Sequence, residues 1–226
     1  ICNGRIDEKA VLPMTRIKIC GITRPQDAVA AAEAGADAIG VVFAESPRRV
    51  ELSMAREIVK SLPPFVSAVG VFVNSSAADV LRIAAEVGLS ELQLHGDEPP
   101  EMVGELLPFR VIKALRVRDR SFIDQVRRFA SAGATAVLLD AWSQEARGGT
   151  GKHFDWDLLM GARGAESEIG SVPWILAGGL TSMNVQSAIR RVRPWGVDVS
   201  SGVESEPGLK CADRISQFIS AIRSCD

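Results

Sequence analysis

The sequence has no basic block, no long apolar run and few cysteines, and each absence removes a class of function. Its 226 residues carry a formal net charge of -2, from 26 Lys and Arg against 28 Asp and Glu. Sequence-independent binding of nucleic acid needs a stripe of cations, so no nucleic-acid partner is expected. No apolar stretch nears the roughly 18 residues of a membrane span, so no membrane partner is expected. Cys2, Cys20, Cys211 and Cys225 are too dispersed for a zinc site and too few to staple a chain of this length. They read as reduced thiols in a cytosolic, cytoplasmic protein. No cluster of His, Cys and carboxylates has metal-ligand spacing, so no metal is expected.

What is present is a core-forming composition, 46% hydrophobic and 24% charged, enough for one large α/β domain or two small ones. Residues 1–13 are expected to be an extension, disordered, vector-derived or processed. Met14-Thr15-Arg16-Ile17 reads as the natural start, and the extension lacks the apolar centre of a secretory signal. The domain proper is expected to run from residue 14 to residue 226.

Strand-like apolar runs alternate with helical patterns along the whole chain. The strands are expected at Arg16–Cys20, Ala38–Phe43, Val66–Val73, Glu91–Leu94, Phe109–Leu115, Ala136–Asp140, Val172–Ala177 and Gly196–Ser200. Between them, apolar residues recur at three- and four-residue spacing, as do Val80, Leu81, Ala84 and Val87. Thr23, three residues before Gln26, has the spacing of a capping box, and Thr181 can cap a helix reaching Arg190. Ala34-Gly35-Ala36-Asp37-Ala38 is echoed by Ala132-Gly133-Ala134-Thr135-Ala136, and in both a glycine should close a helix and hand over to a strand. Continuously apolar strands indicate a parallel sheet covered on both faces. Roughly eight β/α units in this length predict a single-domain (β/α)8 TIM barrel. A doubly wound open sheet is the alternative, but no dinucleotide fingerprint follows the first strand.

In such a barrel, chemistry sits at the C-terminal ends of the strands. Lys18-Ile19-Cys20 places a thiol at the end of the first, and Leu138-Leu139-Asp140 places an acid at the end of the sixth. The closed barrel brings both to one mouth, where they can act as proton acceptor and donor. Cys20 could instead be a small buried hydrophobe, and Asp140 a cap. Leu176-Ala177-Gly178-Gly179-Leu180 and Asp198-Val199-Ser200-Ser201-Gly202 end the last two strands, a frequent place for phosphate. Gly178, Gly179 and Gly202 allow close approach of backbone N–H groups, and Ser200 and Ser201 add hydroxyls. The alternative is a pair of tight glycine-rich turns. Gly148-Gly149-Thr150-Gly151-Lys152 reads as a loop closing on a ligand through Gly149 and Gly151, or as a surface loop; Lys152 is left unassigned. Arg48 or Arg49 could fork a carboxylate, or form a solvated basic pair. His95 reads as a hydrogen-bonded spacer rather than a catalyst.

Taken together and in order, these segments resemble one family, the phosphoribosylanthranilate isomerases of tryptophan biosynthesis. The resemblance covers the chain from about Thr15 onward. It rests on Lys18-Ile19-Cys20-Gly21-Ile22-Thr23, Ser46-Pro47-Arg48, Val69-Gly70-Val71-Phe72-Val73-Asn74 and Leu92-Gln93-Leu94-His95-Gly96, on Leu138-Leu139-Asp140 and Gly148-Gly149-Thr150-Gly151-Lys152, and on the two glycine-bearing segments through Val203-Glu204. It implies an Amadori rearrangement of N-(5'-phosphoribosyl)anthranilate to 1-(2-carboxyphenylamino)-1-deoxy-D-ribulose 5-phosphate. Cys20 would be the general base, Asp140 the general acid and Arg48 the partner of the substrate carboxylate. An iminium serves as electron sink, so no cofactor is implied. The stretch from Phe43 to Ser46 is a residue shorter than usual in the family, which makes Arg49 the alternative to Arg48. A histidine-biosynthesis isomerase with two aspartates would perform the same chemistry, but Cys20 argues against it. A non-catalytic phosphate-binding barrel would not need both Cys20 and Asp140. The small-molecule substrate is the partner expected, with a monomer favoured.

Overall fold

The computed structural model describes residues 14–140, 156–159 and 172–225. Eight parallel strands close into a barrel in chain order. They are β1 Arg16–Cys20, β2 Ala38–Val42, β3 Ser67–Phe72, β4 Glu91–Leu94, β5 Arg110–Arg116, β6 Ala136–Asp140, β7 Trp174–Ala177 and β8 Gly196–Val199. The expected (β/α)8 barrel is therefore present, with β1, β4 and β6 at the expected bounds. β8 stops short of Ser200 because the chain turns there into a 3-10 helix, Ser201–Val203. Closure is made by β1 against β8, where Lys18 lies in register with Asp198.

Helices α1 Pro25–Ala34, α2 Leu52–Lys60, α3 Ala77–Val87, α4 Met102–Glu105, α5 Phe122–Ser131, α6 Val185–Val192 and α7 Ala212–Arg223 accompany the strands. Successive strand residues face opposite ways, so each strand feeds two cores. Val69, Ile112, Ala114, Ala136, Leu138, Ile175 and Ala177 form one buried cluster, the barrel interior. Ile17, Ile19, Ile39, Val41 and Leu139, at the intervening positions, join the larger cluster shared with the helices. In α3, Val80, Ala84 and Val87 are buried as the spacing predicts, and the Ser76 hydroxyl accepts from Asp79 N at 3.1 Å. Such a cap contributes about 1 kcal/mol.

The repeated glycine motif has the same job twice. Gly35 and Gly133 adopt φ of 102° and 98°. The next residues but one, Asp37 and Thr135, then donate their N–H groups to Ile17 O and Val111 O on the preceding strands. Thr23 does not form the expected capping box. Arg24 precedes α1 without a side-chain cap, and the Thr23 hydroxyl donates to Gly208 O at 2.6 Å. That tie to a distant loop outcompetes the local cap. Thr181 Oγ1 accepts from Met183 N, and Asn184 becomes the residue before α6, which runs two residues past Arg190.

After the 3-10 turn, strands β9 Glu204–Glu206 and β10 Leu209–Lys210 form a small antiparallel hairpin. It returns Glu204 and Lys210 to the barrel mouth.

Candidate active site

The strand alternation sets which side chains reach the mouth. Ala136 and Leu138 face the interior, so Asp140 follows them inward at the end of β6. Ile112 and Ala114 do the same for Arg116 on β5, which lies in register with Asp140. On β1, Lys18 and Cys20 share the inward face. Cys20 packs with Val42 and Val71 in a small apolar cluster beside Ala44. Burial pushes its thiol above the ordinary value. The Lys18 ammonium opposes this, the Asp198 carboxylate reinforces it, and Lys210 opposes it more weakly.

Lys18 itself is buried and donates to Asp198 Oδ1 at 2.8 Å. Burial alone would lower its pKa, but Asp198 and the Cys20 sulfur outweigh that and hold the ammonium above the usual lysine value.

At β4, His95 Nε2 lies 3.8 Å from Asp140 Oδ2. The other ring nitrogen, Nδ1, is 2.8 Å from Gln93 Nε2, an amide wholly buried in the barrel. The Gln93 amide nitrogen donates to Nδ1, which leaves Nε2 as the ring nitrogen that faces Asp140. The loop carrying His95 is clamped from behind. Glu98 accepts from Lys113 Nζ at 2.6 Å, from Asn74 N at 2.8 Å and from Gly96 N at 3.0 Å. Burial alone would raise the Glu98 carboxyl, but Lys113 and then Asn74 hold it below the usual range. A cleft of about 530 Å³ opens here beside His95, Gly96 and Arg116. A second cavity, about 490 Å³, opens at the N-terminal end of the barrel and contains neither Cys20 nor Asp140.

Of the two candidate arginines, Arg48 is half-buried at the mouth and Arg49 is exposed. Arg48 binds Glu204 through two parallel hydrogen bonds, and Lys210 Nζ donates to the same carboxylate at 2.7 Å. Burial would raise Glu204, but these two cations, Arg48 first, keep it below the usual carboxylate value. Gly21, at φ 75°, makes the passage for Arg48: a Cβ there would strike Arg48 Cδ and lie 3.0 Å from Ser200 Oγ. Glu204 uses two of the five guanidinium N–H donors, and the remainder are available to a ligand.

The β7 and β8 loops meet directly. Gly178 and Gly179 take φ of 93° and 64°, and a Cβ on Gly202 would collide with Leu180 O. Gly202 therefore packs against the chain immediately after Gly178 and Gly179, with Lys210 Nζ 3.2 Å from Ser200 O. The expected contributions of Gly149 and Gly151, and the unassigned Lys152, lie outside the described residues.

Sequence reasoning did not single out Lys18, Gln93, Glu98, Lys113, Arg116 or Lys210. For Lys18 and Lys113 a signal existed: a charged residue inside an otherwise apolar strand must find a buried partner. At Lys18 the two-residue spacing to Cys20 also places both on one face.

The fold recurs in known proteins. A family model described as N-(5'phosphoribosyl)anthranilate (PRA) isomerase matches residues 17–221. The N-(5'-phosphoribosyl)anthranilate isomerase of Pseudomonas aeruginosa strain LESB58 is 50% identical over 216 residues, covering 94% of this chain and 97% of its own. The crystal structure of phosphoribosyl anthranilate isomerase from Thermotoga maritima superposes with a TM-score of 0.84 at 42% identity, over 93% of this chain and 100% of that one. A phosphoribosyl anthranilate isomerase solved in complex with reduced 1-(o-carboxyphenylamino)-1-deoxyribulose 5-phosphate gives 0.81 at 40%, with the same coverage. The chain belongs to the N-(5'-phosphoribosyl)anthranilate isomerase family.

Proposed function

We propose that this chain isomerises N-(5'-phosphoribosyl)anthranilate to 1-(2-carboxyphenylamino)-1-deoxy-D-ribulose 5-phosphate, the aldose–ketose step of tryptophan biosynthesis, with Cys20 as base and Asp140 as acid. The observation that carries it is placement. Cys20 on β1 and Asp140 on β6 flank the β7 and β8 loops on either side. A sugar phosphate anchored by Gly178, Gly179, Ser200, Ser201 and Gly202 lies between an acceptor and a donor.

The carboxylic acid of Asp140 gives its proton to the furanose ring oxygen. The bond from that oxygen to C1' breaks, and the anthranilate nitrogen lone pair forms the iminium. His95 Nε2 faces the carboxylate left behind. Cys20, as thiolate, takes the proton from C2'. The C–H electron pair becomes the C1'–C2' double bond, and the iminium pair returns to nitrogen. The enolamine loses its C2' hydroxyl proton and gains one at C1', giving the ketone. One proton passing from thiol to carboxylate through solvent restores the enzyme. Val42 and Val71 offer an apolar wall to the anthranilate ring beside Cys20. The N–H groups of Arg48 not used by Glu204 meet its carboxylate.

Freshly made phosphoribosylanthranilate, mixed with purified protein, should lose its anthranilate fluorescence at a rate proportional to enzyme. No loss above the spontaneous rate, with binding of a product analogue retained, would make the barrel a phosphate-binding module instead.

A further inference from the structure

The alternation that brings Cys20 to the mouth places Lys18 one layer below it on the same inward face. A lysine there is costly, since its ammonium must leave water for the barrel interior. The side chain is only 5% exposed and that of Asp198, its register partner, 9%. Their 2.8 Å contact offsets much of the cost, but Asp198 is not the only partner. The same ammonium lies near the Cys20 sulfur, on the same inward face of β1. Gly40 on β2 makes room for this meeting. A Cβ there would lie 2.8 Å from Cys20 Sγ and 3.1 Å from Lys18 Nζ, so any larger residue would wedge into the pair.

The other charges facing the thiol are Asp198 from β8, Lys210 from the hairpin and Arg48 from the loop after β2. Glu204 already binds both Arg48 and Lys210. Lys18 differs from both in standing on the thiol's own strand face, with its ammonium and the Cys20 sulfur both close to Gly40. We propose that Lys18 is the positioning residue that equips Cys20 as a base: its ammonium favours the thiolate over the thiol, and Asp198 sets how much of that positive charge the sulfur feels. Burial pushes the thiol the wrong way for a base, and Lys18 is the largest influence in the opposite direction.

This rests on Cys20 being the base in the proposed reaction, but the first measurement does not. Alkylation of Cys20 by iodoacetamide, followed across pH by mass spectrometry of its peptide, reports the thiolate directly. Lys18→Gln keeps a hydrogen-bond donor on a side chain one atom shorter but removes the charge. It should move the alkylation midpoint up by about one to three pH units, the usual effect of a neighbouring charge. At neutral pH the rate should fall by at least about tenfold. Asp198→Asn should move the midpoint the other way. A merely structural role would disturb both variants alike, so an unmoved midpoint in Lys18→Gln, or shifts of the same sign in both, overturns the proposal. If Lys18→Gln fails to fold, the double variant Lys18→Met/Asp198→Asn removes both buried charges, and its midpoint should lie above that of Asp198→Asn. The pH profile of kcat/KM should shift with the alkylation midpoint in every variant. Alkylation that shifts while kcat/KM does not would leave the sulfur–ammonium coupling standing and remove Cys20 as the base.

Discussion

Arg48 and Glu204 meet fork to fork at the barrel mouth, Nε to Oε1 and Nη2 to Oε2 both at 2.7 Å. They are 156 residues apart, and the pair ties the loop after β2 to the hairpin after β8. Glu204 thereby aims one edge of the guanidinium and leaves another for a ligand. Arg48→Ala should raise KM for phosphoribosylanthranilate by roughly 10- to 100-fold, since a hydrogen bond to a charged group contributes about 1.5–3 kcal/mol. Arg49→Ala, at an exposed position, should change KM less than threefold or so. A sugar phosphate without the carboxylate should bind both variants alike. The reverse ranking would transfer carboxylate recognition to Arg49.

Cys20→Ala should reduce kcat by roughly 10²- to 10⁴-fold, the range for loss of a general base. The thiol packs against two valines, and alanine fills most of that space, so the melting temperature should barely move. Iodoacetamide should inactivate the wild type, with substrate protecting. Near-normal turnover in the purified variant would remove the thiol from the mechanism.

Asp140→Asn keeps the shape and removes the proton donor, so kcat should fall while product-analogue affinity survives. Through the contact with Asp140, His95→Ala should lower kcat by less than Asp140→Asn does. If Asp140→Asn loses affinity alone, it is a substrate contact and the donor lies elsewhere.

The pH dependence follows from the thiol. Burial raises the Cys20 pKa, so the free enzyme holds mostly thiol at neutral pH and gains thiolate as pH rises. The kcat/KM profile should therefore still be climbing above pH 7, with its rising limb lost in Cys20→Asp. A flat profile from neutrality upward would contradict a thiolate base.

Stability should depend on the Glu98–Lys113 pair. Glu98→Ala strands a buried ammonium, and breaking such a pair costs about 3–5 kcal/mol. At roughly 2–4 °C per kcal/mol for a chain of this size, Tm should drop by roughly 6–20 °C. The folded-state pKa of Glu98 is depressed, so its contribution is present above the ordinary glutamate value, about 4.3, and is lost as pH falls through the folded value. Thermal melts of wild type and Glu98→Ala should converge at acid pH.

Much of the architecture is local in origin and could be read along the chain. Apolar runs of strand length, glycines closing helices and the two-residue alternation determined where β1 and β6 end, and hence that Cys20 and Asp140 face one mouth. The pairs that complete the mouth could not be read that way. Thr23 looked like a cap because its hydroxyl has a local partner at the right spacing, yet Gly208 O is nearer once the hairpin folds back. Arg48 and Arg49 are chemically alike and adjacent, and only the returning Glu204 distinguishes the mouth arginine from the exposed one. Lys18 and Asp198 are 180 residues apart, and they meet because β1 closes the barrel against β8 with those two residues in register. Local sequence determined which face each side chain takes, since backbone geometry repeats every two residues. Which charge meets which was decided by barrel closure, because a buried ion must find its partner wherever the fold brings one within about 3 Å.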